Sequence, residues 1–423
     1  MDNLAHRYNR FLIFIFIIAP FVAYFVVTYL DFTFSRFIQF LSFIGVILLL
    51  IFRTKKNPIK IPTYLIFYFC FVLYVFYSAF IQLDRDFSFK YLFSNPLIGS
   101  FCIMFIIENM HFTRKNYKLL FTISKNILII AIFVIFYQQI INESFFLNPE
   151  VKEDALVVVS KSTSRLQSIY SWAGWLTNGF GFVPIYLLVV EYLVKRNKII
   201  IIWILFGVFY SILTKARWIM LITMLVFIIV IIHNKNISKQ IFKYSLLIPL
   251  FLAISYFSLN AVGIDAQKIL DDRILETNKT NDHKSATTRL LAFTVFNKLF
   301  WNNAIFGVGS IKYGMGATGK QDYKLRKELG DRSSQIHVGY LSLFYMYGLI
   351  GGFLFLTFLY LLLRRLYFNS KVTGIWAPFF GILCLAIANL TLVSFSLLEM
   401  GFIYILVANK YHLRNGSNIK EIT

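Results

Sequence analysis

His337 stands where a polar stretch gives way to an apolar run, in the segment SSQIHVGY. An imidazole with a pKa of about 6.5 could take a proton from a hydroxyl group at neutral pH, so His337 is a candidate general base. A lone histidine at the start of a helix is also a common capping or interfacial residue. The sequence leaves both interpretations open.

Four basic residues are candidates for binding an anion on the same side of the membrane as His337. Lys215 and Arg217 lie in the short connection LTKARW between two apolar runs, where charge is costly and often functional. Arg165 follows the run STS, and Arg289 begins a helical pattern whose positive N-terminal end also favours an anion. Arginine supplies paired hydrogen-bond donors to a phosphate, and lysine supplies a point charge. Alternatively, Lys215 and Arg217 could extend to lipid headgroups at the membrane surface.

The sequence gives little support for a metal site. Asp84 and Asp86 form an Asp-x-Asp pair in an outer connection, but an arginine separates them and no second acidic cluster lies nearby. All three cysteines fall inside apolar runs, and no paired-histidine motif occurs. Glu399, an acid inside the last apolar run, could pair with an outer arginine or orient His337. We therefore predict no metal and no other cofactor.

The elements that position these residues are apolar helices. The chain of 423 residues is 58% hydrophobic and 15% charged, with a mean hydropathy of +0.68. Its apolar runs match the thickness of a bilayer and predict an all-α, polytopic integral membrane protein. We predict twelve transmembrane helices, the first a retained anchor rather than a cleaved signal: 11–30, 34–52, 63–82, 91–108, 119–141, 171–194, 199–214, 218–233, 244–259, 337–363, 372–392 and 395–409.

Charge sets the predicted orientation. With both termini inside, the inner segments hold 21 Lys and Arg residues, against eight in the short outer segments. This bias also explains most of the net charge of +22, so we predict no nucleic-acid partner. The chain is predicted to be one membrane domain, 1–423, with a large outer loop at 260–336 between spans nine and ten. That loop is basic, which suggests an anionic ligand. We expect helices at 265–276 and 286–301, and the charged run 321–332 is most simply a solvated helix.

Three stretches resemble the O-antigen polymerases (Wzy) and O-antigen ligases, which share one fold. They are the LTKAR connection, the segment TTRLLAFTVFNKLFWNNAIFGVGSIKYG and the segment HVGYLSLFYMYGLIGG. The second is similar to the family's arginine helix followed by Gly-x-Gly, and the third to its histidine segment with spaced glycines. The twelve-span plan with a large periplasmic loop also agrees. Val338 departs from the family, which often has asparagine after the histidine, and Lys215 stands where small hydroxylated residues are common.

The resemblance implies a GT-C-like glycosyltransferase of the bacterial inner membrane that acts at its periplasmic face on undecaprenyl-pyrophosphate-linked oligosaccharides. It implies that Arg165, Lys215, Arg217 and Arg289 hold the donor pyrophosphate, while His337 activates the acceptor hydroxyl for an inverting, metal-independent attack. We predict an O-antigen polymerase of lipopolysaccharide biosynthesis. The alternatives are an O-antigen ligase that transfers the glycan to lipid A–core, and, less favoured, a flippase for the lipid-linked oligosaccharide. Membrane lipid and a chain-length regulator protein are the further partners considered.

Overall fold

Helices form every regular element of the described chain. The computed structural model describes residues 34–51, 59–82, 96–109, 114–142, 145, 199–213, 285–309, 325, 328, 336, 338–390 and 409–410. No strand occurs in these ranges. The α-helices are α1 (Phe34–Ile51), α2 (Thr63–Gln82), α3 (Pro96–Asn109), α4 (Arg114–Ile140), α5 (Ile199–Leu213), α6 (Ser285–Phe300), α7 (Gly339–Thr373) and α8 (Ala377–Ala388), and a 3₁₀ turn, Trp301–Asn303, follows α6.

Seven of the twelve predicted spans overlap described helices, in the predicted order. α2 has the bounds of the predicted span 63–82, and α1, α3, α4 and α5 overlap the spans 34–52, 91–108, 119–141 and 199–214. The spans 11–30, 171–194, 218–233 and 244–259 lie outside the described residues, as does 395–409 apart from Asn409. By length and composition, α7 is the one helix in the described ranges that could cross a membrane; the apolar stretches of α1–α5 and α8 have 10–17 residues.

The helix of span ten continues beyond the predicted end of the span. The apolar run ends at Leu363, but α7 continues for ten more residues to Thr373. Hydropathy marks the end of the membrane-compatible segment, whereas the backbone stays helical through the charged residues that follow. Gly374 ends the helix in the left-handed conformation at φ 74°, and its N–H donates to the carbonyl of Ser370.

α2 and α7 form the centre of the described bundle, packed along an aromatic seam. The rings of Tyr68 and Phe358 lie 4.8 Å apart, and those of Phe71 and Phe355 lie 5.3 Å apart. All four side chains are fully buried. Gly351 allows the close approach, because a Cβ atom there would fall inside 3.0 Å of the Tyr74 ring. Around this pair, α1 packs on α3, α4 on α5, and α8 on α7.

A buried ionic cluster joins four segments at one end of the bundle. The carboxylate of Glu108, at the end of α3, accepts from the Tyr64 hydroxyl at 2.7 Å and from Arg365 at 3.0 Å. The ammonium of Lys410 lies 4.0 Å from the same carboxylate and donates to the carbonyls of Ile107, at 2.8 Å, and Glu108. Arg365 and Lys410 both come from predicted inner segments.

Candidate functional site

Arg289 lies on α6, the helix predicted at 286–301 and observed at Ser285–Phe300. It is the fifth residue of the helix and is half-buried, with its Nε atom enclosed by protein. The N–H groups of the first turn, which have no partner within the helix itself, and the guanidinium both contribute positive potential at this end. The arrangement is suited to binding a phosphate or another anion.

The helical spacing of Leu291, Val295, Leu299 and Phe300 places them on one face of α6, which is turned into the protein. Val295 and Phe300 are buried, and Leu291 and Leu299 are half-buried. Since α6 packs against α7, these apolar residues help to hold the helix in the fold. Other apolar side chains of the same helix, including Leu290 at 69% exposure, point away from the protein.

α7 is interrupted inside the bundle at Gly348. This glycine has φ 62° and ψ −167°, a conformation that ordinary L-residues avoid, and it is buried. This conformation opens the helix and exposes backbone groups on both sides of the break.

The chain that follows α6 fills this break with backbone hydrogen bonds. The N–H groups of Val308 and Gly309 donate to the carbonyls of Tyr345 and Met346 at 3.0 and 2.8 Å. In return, the N–H of Leu349 donates to the carbonyl of Ala304 at 2.8 Å, and that of Ile350 donates to the carbonyl of Ile305 at 3.4 Å. We call residues 304–309 together with 345–350 the glycine junction.

Two glycines make the junction possible. A Cβ atom on Gly307, which has φ 74°, would fall inside 3.0 Å of the backbone N of Gly348 and the carbonyl of Met346. A Cβ atom on Gly348 would collide equally with the backbone of Ile305 and Gly307. Because the obstructing atoms are backbone on both sides, neither clash can be relieved by turning a side chain.

A third helix fixes the junction from the side. The hydroxyl of Tyr74, on α2, donates to the carbonyl of Phe306 at 3.0 Å. Tyr74 also packs against Gly351, one turn beyond the break in α7. The junction is therefore held by α2, α6 and α7 together.

An ion pair connects α6 to the charged run 321–332. Lys298 lies 2.7 Å from the carboxylate of Glu328. Leu325, three residues earlier and helical, is fully buried. The run is helical at positions 325 and 328, but the prediction of a solvated helix is wrong at Leu325. A spacing of three residues places Leu325 on the same side of the helix as Glu328.

The other predicted site residues lie outside the described part of the chain. They are Arg165, Lys215, Arg217, His337 and Glu399, together with the Asp84 and Asp86 pair. The neighbours of His337 are described: Ile336 and Val338 are both buried, and α7 begins at the next residue. The structure therefore brings the helix of Arg289 against the helix that starts two residues after His337.

Sequence reasoning missed Tyr74 and the pairing of Gly307 with Gly348. The signal for the glycines was present as the Gly-Val-Gly run after α6 and the spaced glycines of α7. Nothing in either motif indicates that the two contact each other. Tyr74 is one of several tyrosines in an apolar run and carries no local signal at all.

Comparison with protein families confirms the resemblance over the central part of the chain. Residues 200–356 match the family model described as O-antigen ligase, whose members are integral membrane proteins. By position, the matched segment contains Lys215, Arg217, Arg289 and His337, and it includes the whole glycine junction. No curated protein matches the chain.

Proposed function

We propose that this protein is an O-antigen polymerase, given that residues 200–356 carry an O-antigen ligase domain and that this family acts on lipid-linked oligosaccharides. It would transfer the glycan from undecaprenyl pyrophosphate to a sugar hydroxyl of a second lipid-linked unit. The observation that carries the proposal is the family match over the segment in which the helix of Arg289 packs against the helix following His337. An O-antigen ligase, with lipid A–core as acceptor, has the same chemistry and is the second candidate.

The first task of the site is to hold the donor. Arg289, half-buried near the start of α6, would contact the pyrophosphate together with Arg217, Arg165 and Lys215. As the bond between the anomeric carbon and the phosphate oxygen breaks, negative charge grows on that oxygen. Positively charged donors already in place stabilise this charge more in the transition state than in the bound substrate, which accelerates the reaction.

The second task is to activate the acceptor. The imidazole of His337 would take the proton from the acceptor hydroxyl while its oxygen forms a bond to the anomeric carbon. Undecaprenyl pyrophosphate leaves from the opposite face with the bonding electrons, so the configuration at that carbon inverts. Glu399 is available to orient the imidazole or to pair with an arginine.

The proposed orientation places the site at the periplasmic face of the inner membrane. Both termini and the connections rich in Lys and Arg would then be cytoplasmic. Along α7, Gly348 and Arg365 are separated by 17 residues, which is roughly 26 Å of helix and close to the hydrocarbon thickness. The glycine junction would therefore lie in the outer part of the bilayer and the Glu108 cluster near its inner boundary.

Arg289 provides the most direct test, because Lys298 on the same helix is a matched control. Arg289→Ala should reduce turnover of purified protein on undecaprenyl-pyrophosphate-linked repeat units by about 10²–10³-fold. Arg289→Lys should recover little of this loss, since lysine cannot form the paired contacts of a guanidinium. Lys298 is 62% exposed and forms an ion pair with Glu328, so Lys298→Ala should stay close to wild type.

His337 is tested in the same assay. His337→Ala should lower turnover by about 10²–10⁴-fold without abolishing donor binding, and excess EDTA should leave the wild-type rate unchanged. Loss of activity in EDTA, combined with a fully active His337→Ala protein, would contradict the mechanism and favour the Asp84 and Asp86 pair. Offering lipid A–core beside a second repeat unit separates ligase from polymerase.

A further inference from the structure

The glycine junction supplies hydrogen-bond partners to the backbone groups that the break in α7 leaves unsatisfied. Opening α7 at Gly348 leaves backbone groups without their helical partners within the bundle, where unsatisfied polar groups are costly. Residues 304–309 satisfy these groups on both sides of the break, two N–H groups donating in each direction. An unbroken helix would need none of these bonds, so the break requires a reason beyond stability.

The geometry of the two helices supplies that reason. α6 runs from Arg289 towards the junction over about 11 residues to Phe300, roughly 17 Å. The first part of α7 runs from Gly339 to the junction at Gly348 over nine residues, roughly 14 Å. The two helices thus converge on one point, with Arg289 near the far end of one and position 337 just beyond the far end of the other.

We infer that Gly307 and Gly348 are positioning residues, whose direct backbone contact sets the distance between the donor-binding arginine and the acceptor-activating histidine. This inference rests on the proposed function, in which Arg289 and His337 hold the two substrates. The junction touches neither substrate. It acts as a fixed pivot between two arms of similar length, and Tyr74 fixes that pivot to the aromatic core through Phe306.

The lengths of the arms make the site sensitive to the pivot. If the junction opens so that α6 rotates by about 10° relative to α7, the Arg289 end of a 17 Å arm moves by roughly 3 Å. A misplacement of about 1 Å in a catalytic arrangement is already enough to reduce a rate by about 10²-fold. An added methyl group at either glycine should therefore affect the reaction strongly, even though it lies more than ten residues from Arg289.

Gly374 provides a matched control for the substitution. Gly307 and Gly374 both have φ 74°, so alanine meets the same unfavourable backbone conformation at each position. A Cβ atom at Gly374 has nothing within 4 Å, whereas one at Gly307 meets the backbone of Gly348 and Met346. Comparing Gly307→Ala with Gly374→Ala therefore isolates the close backbone contact from the conformational cost.

The experiment measures geometry and catalysis separately in the full-length protein. Spin labels are placed by Thr294→Cys on α6, an exposed position, and Leu341→Cys on the first part of α7, a partly exposed one, in a protein with Cys70→Ser, since Cys102 and Cys384 are buried. Pulsed dipolar spectroscopy then gives the distance between the helices. Turnover on lipid-linked repeat units is measured for each glycine variant without labels.

We expect Gly307→Ala and Gly348→Ala to shift or broaden the distance distribution and to lower kcat by at least about 10²-fold. Gly374→Ala should keep the wild-type distance and a kcat within about threefold. If the alanine variants fail to accumulate in the membrane, Tyr74→Phe serves in their place, because it removes one hydrogen bond to the junction without adding an atom. It should broaden the distance and lower kcat by about fivefold.

Two results would overturn the inference: a wild-type distance in Gly307→Ala with kcat lost, or a displaced helix with kcat intact. The first would show that the glycine does not set the spacing, and the second that the spacing does not govern the reaction. Failure of the proposed function is separate, because it would appear as a wild-type protein that transfers no glycan while the distances still respond to the substitutions.

Discussion

Replacing Glu108 by glutamine should destabilise the protein more than any other single loss of charge in the described part of the chain. The side chain of Glu108 is only 9% exposed. It is bound by Arg365 and the Tyr64 hydroxyl, and Lys410 lies beside it. Glutamine keeps the shape of the side chain but removes its charge, leaving two cations close together without the anion between them.

The size of the effect follows from the burial of each partner. Removing one member of a fully buried ion pair costs about 3–5 kcal/mol, because the remaining charge is left uncompensated. Here Arg365 is 35% and Lys410 is 25% exposed, so water screens part of that cost. We therefore expect Glu108→Gln to lower the free energy of unfolding by about 2–4 kcal/mol.

The assay is unfolding by SDS in mixed micelles, followed by tryptophan fluorescence, with Glu328→Gln as control. Glu328 also pairs with a lysine at 2.7 Å, but the side chains of this pair are 30% and 62% exposed. A surface pair of this kind is worth about 0–1 kcal/mol. Equal stability of the Glu108→Gln and Glu328→Gln proteins would refute the argument, since burial alone distinguishes the two sites.

Two further outcomes test the electrostatics and the orientation. Burial lowers the pKa of Lys410 from 10.5 to about 8, against the opposing effect of Glu108. Between these pH values the unfolded chain binds more protons than the folded protein, so the folded protein should become more stable to SDS as pH rises from 8 to 10. Lys410→Met should flatten this dependence of stability on pH. An equal slope in the wild-type and Lys410→Met proteins would contradict the assignment to Lys410. For the orientation, a cysteine at Lys320 should react with a membrane-impermeant thiol reagent in intact spheroplasts while one at Lys56 should not; the reverse pattern would invert the topology.

The sequence determined the elements that depend on local composition. The apolar run 63–82 is bounded by Pro62 on one side and by a charged segment on the other, and the helix has the predicted bounds. α6 was predicted within one residue at each end, because its apolar spacing and its Thr-Thr-Arg start are local signals. Short motifs also indicated the resemblance, and residues 200–356 match the O-antigen ligase family model.

The end of α7 shows where local reasoning fails. Hydropathy falls at Arg364, but a charged residue does not end a helix that leaves the bilayer. The stop at Gly374 depends on a left-handed backbone conformation that a hydropathy profile does not contain. The prediction at Leu325 was wrong for the opposite reason: a charged run predicts a solvated helix, yet the fold covers this one apolar side chain.

Only the tertiary structure decided which distant residues meet. Glu108 pairs with Arg365 across 257 residues, and Tyr74 binds the carbonyl of Phe306 across 232. Neither pairing has a periodicity or a motif, because each arises from how whole helices pack. The contact of Gly307 with Gly348 is of the same kind. Each glycine motif signals a flexible backbone, but only the fold shows that the segment containing Gly307 bonds to the backbone on both sides of the break at Gly348.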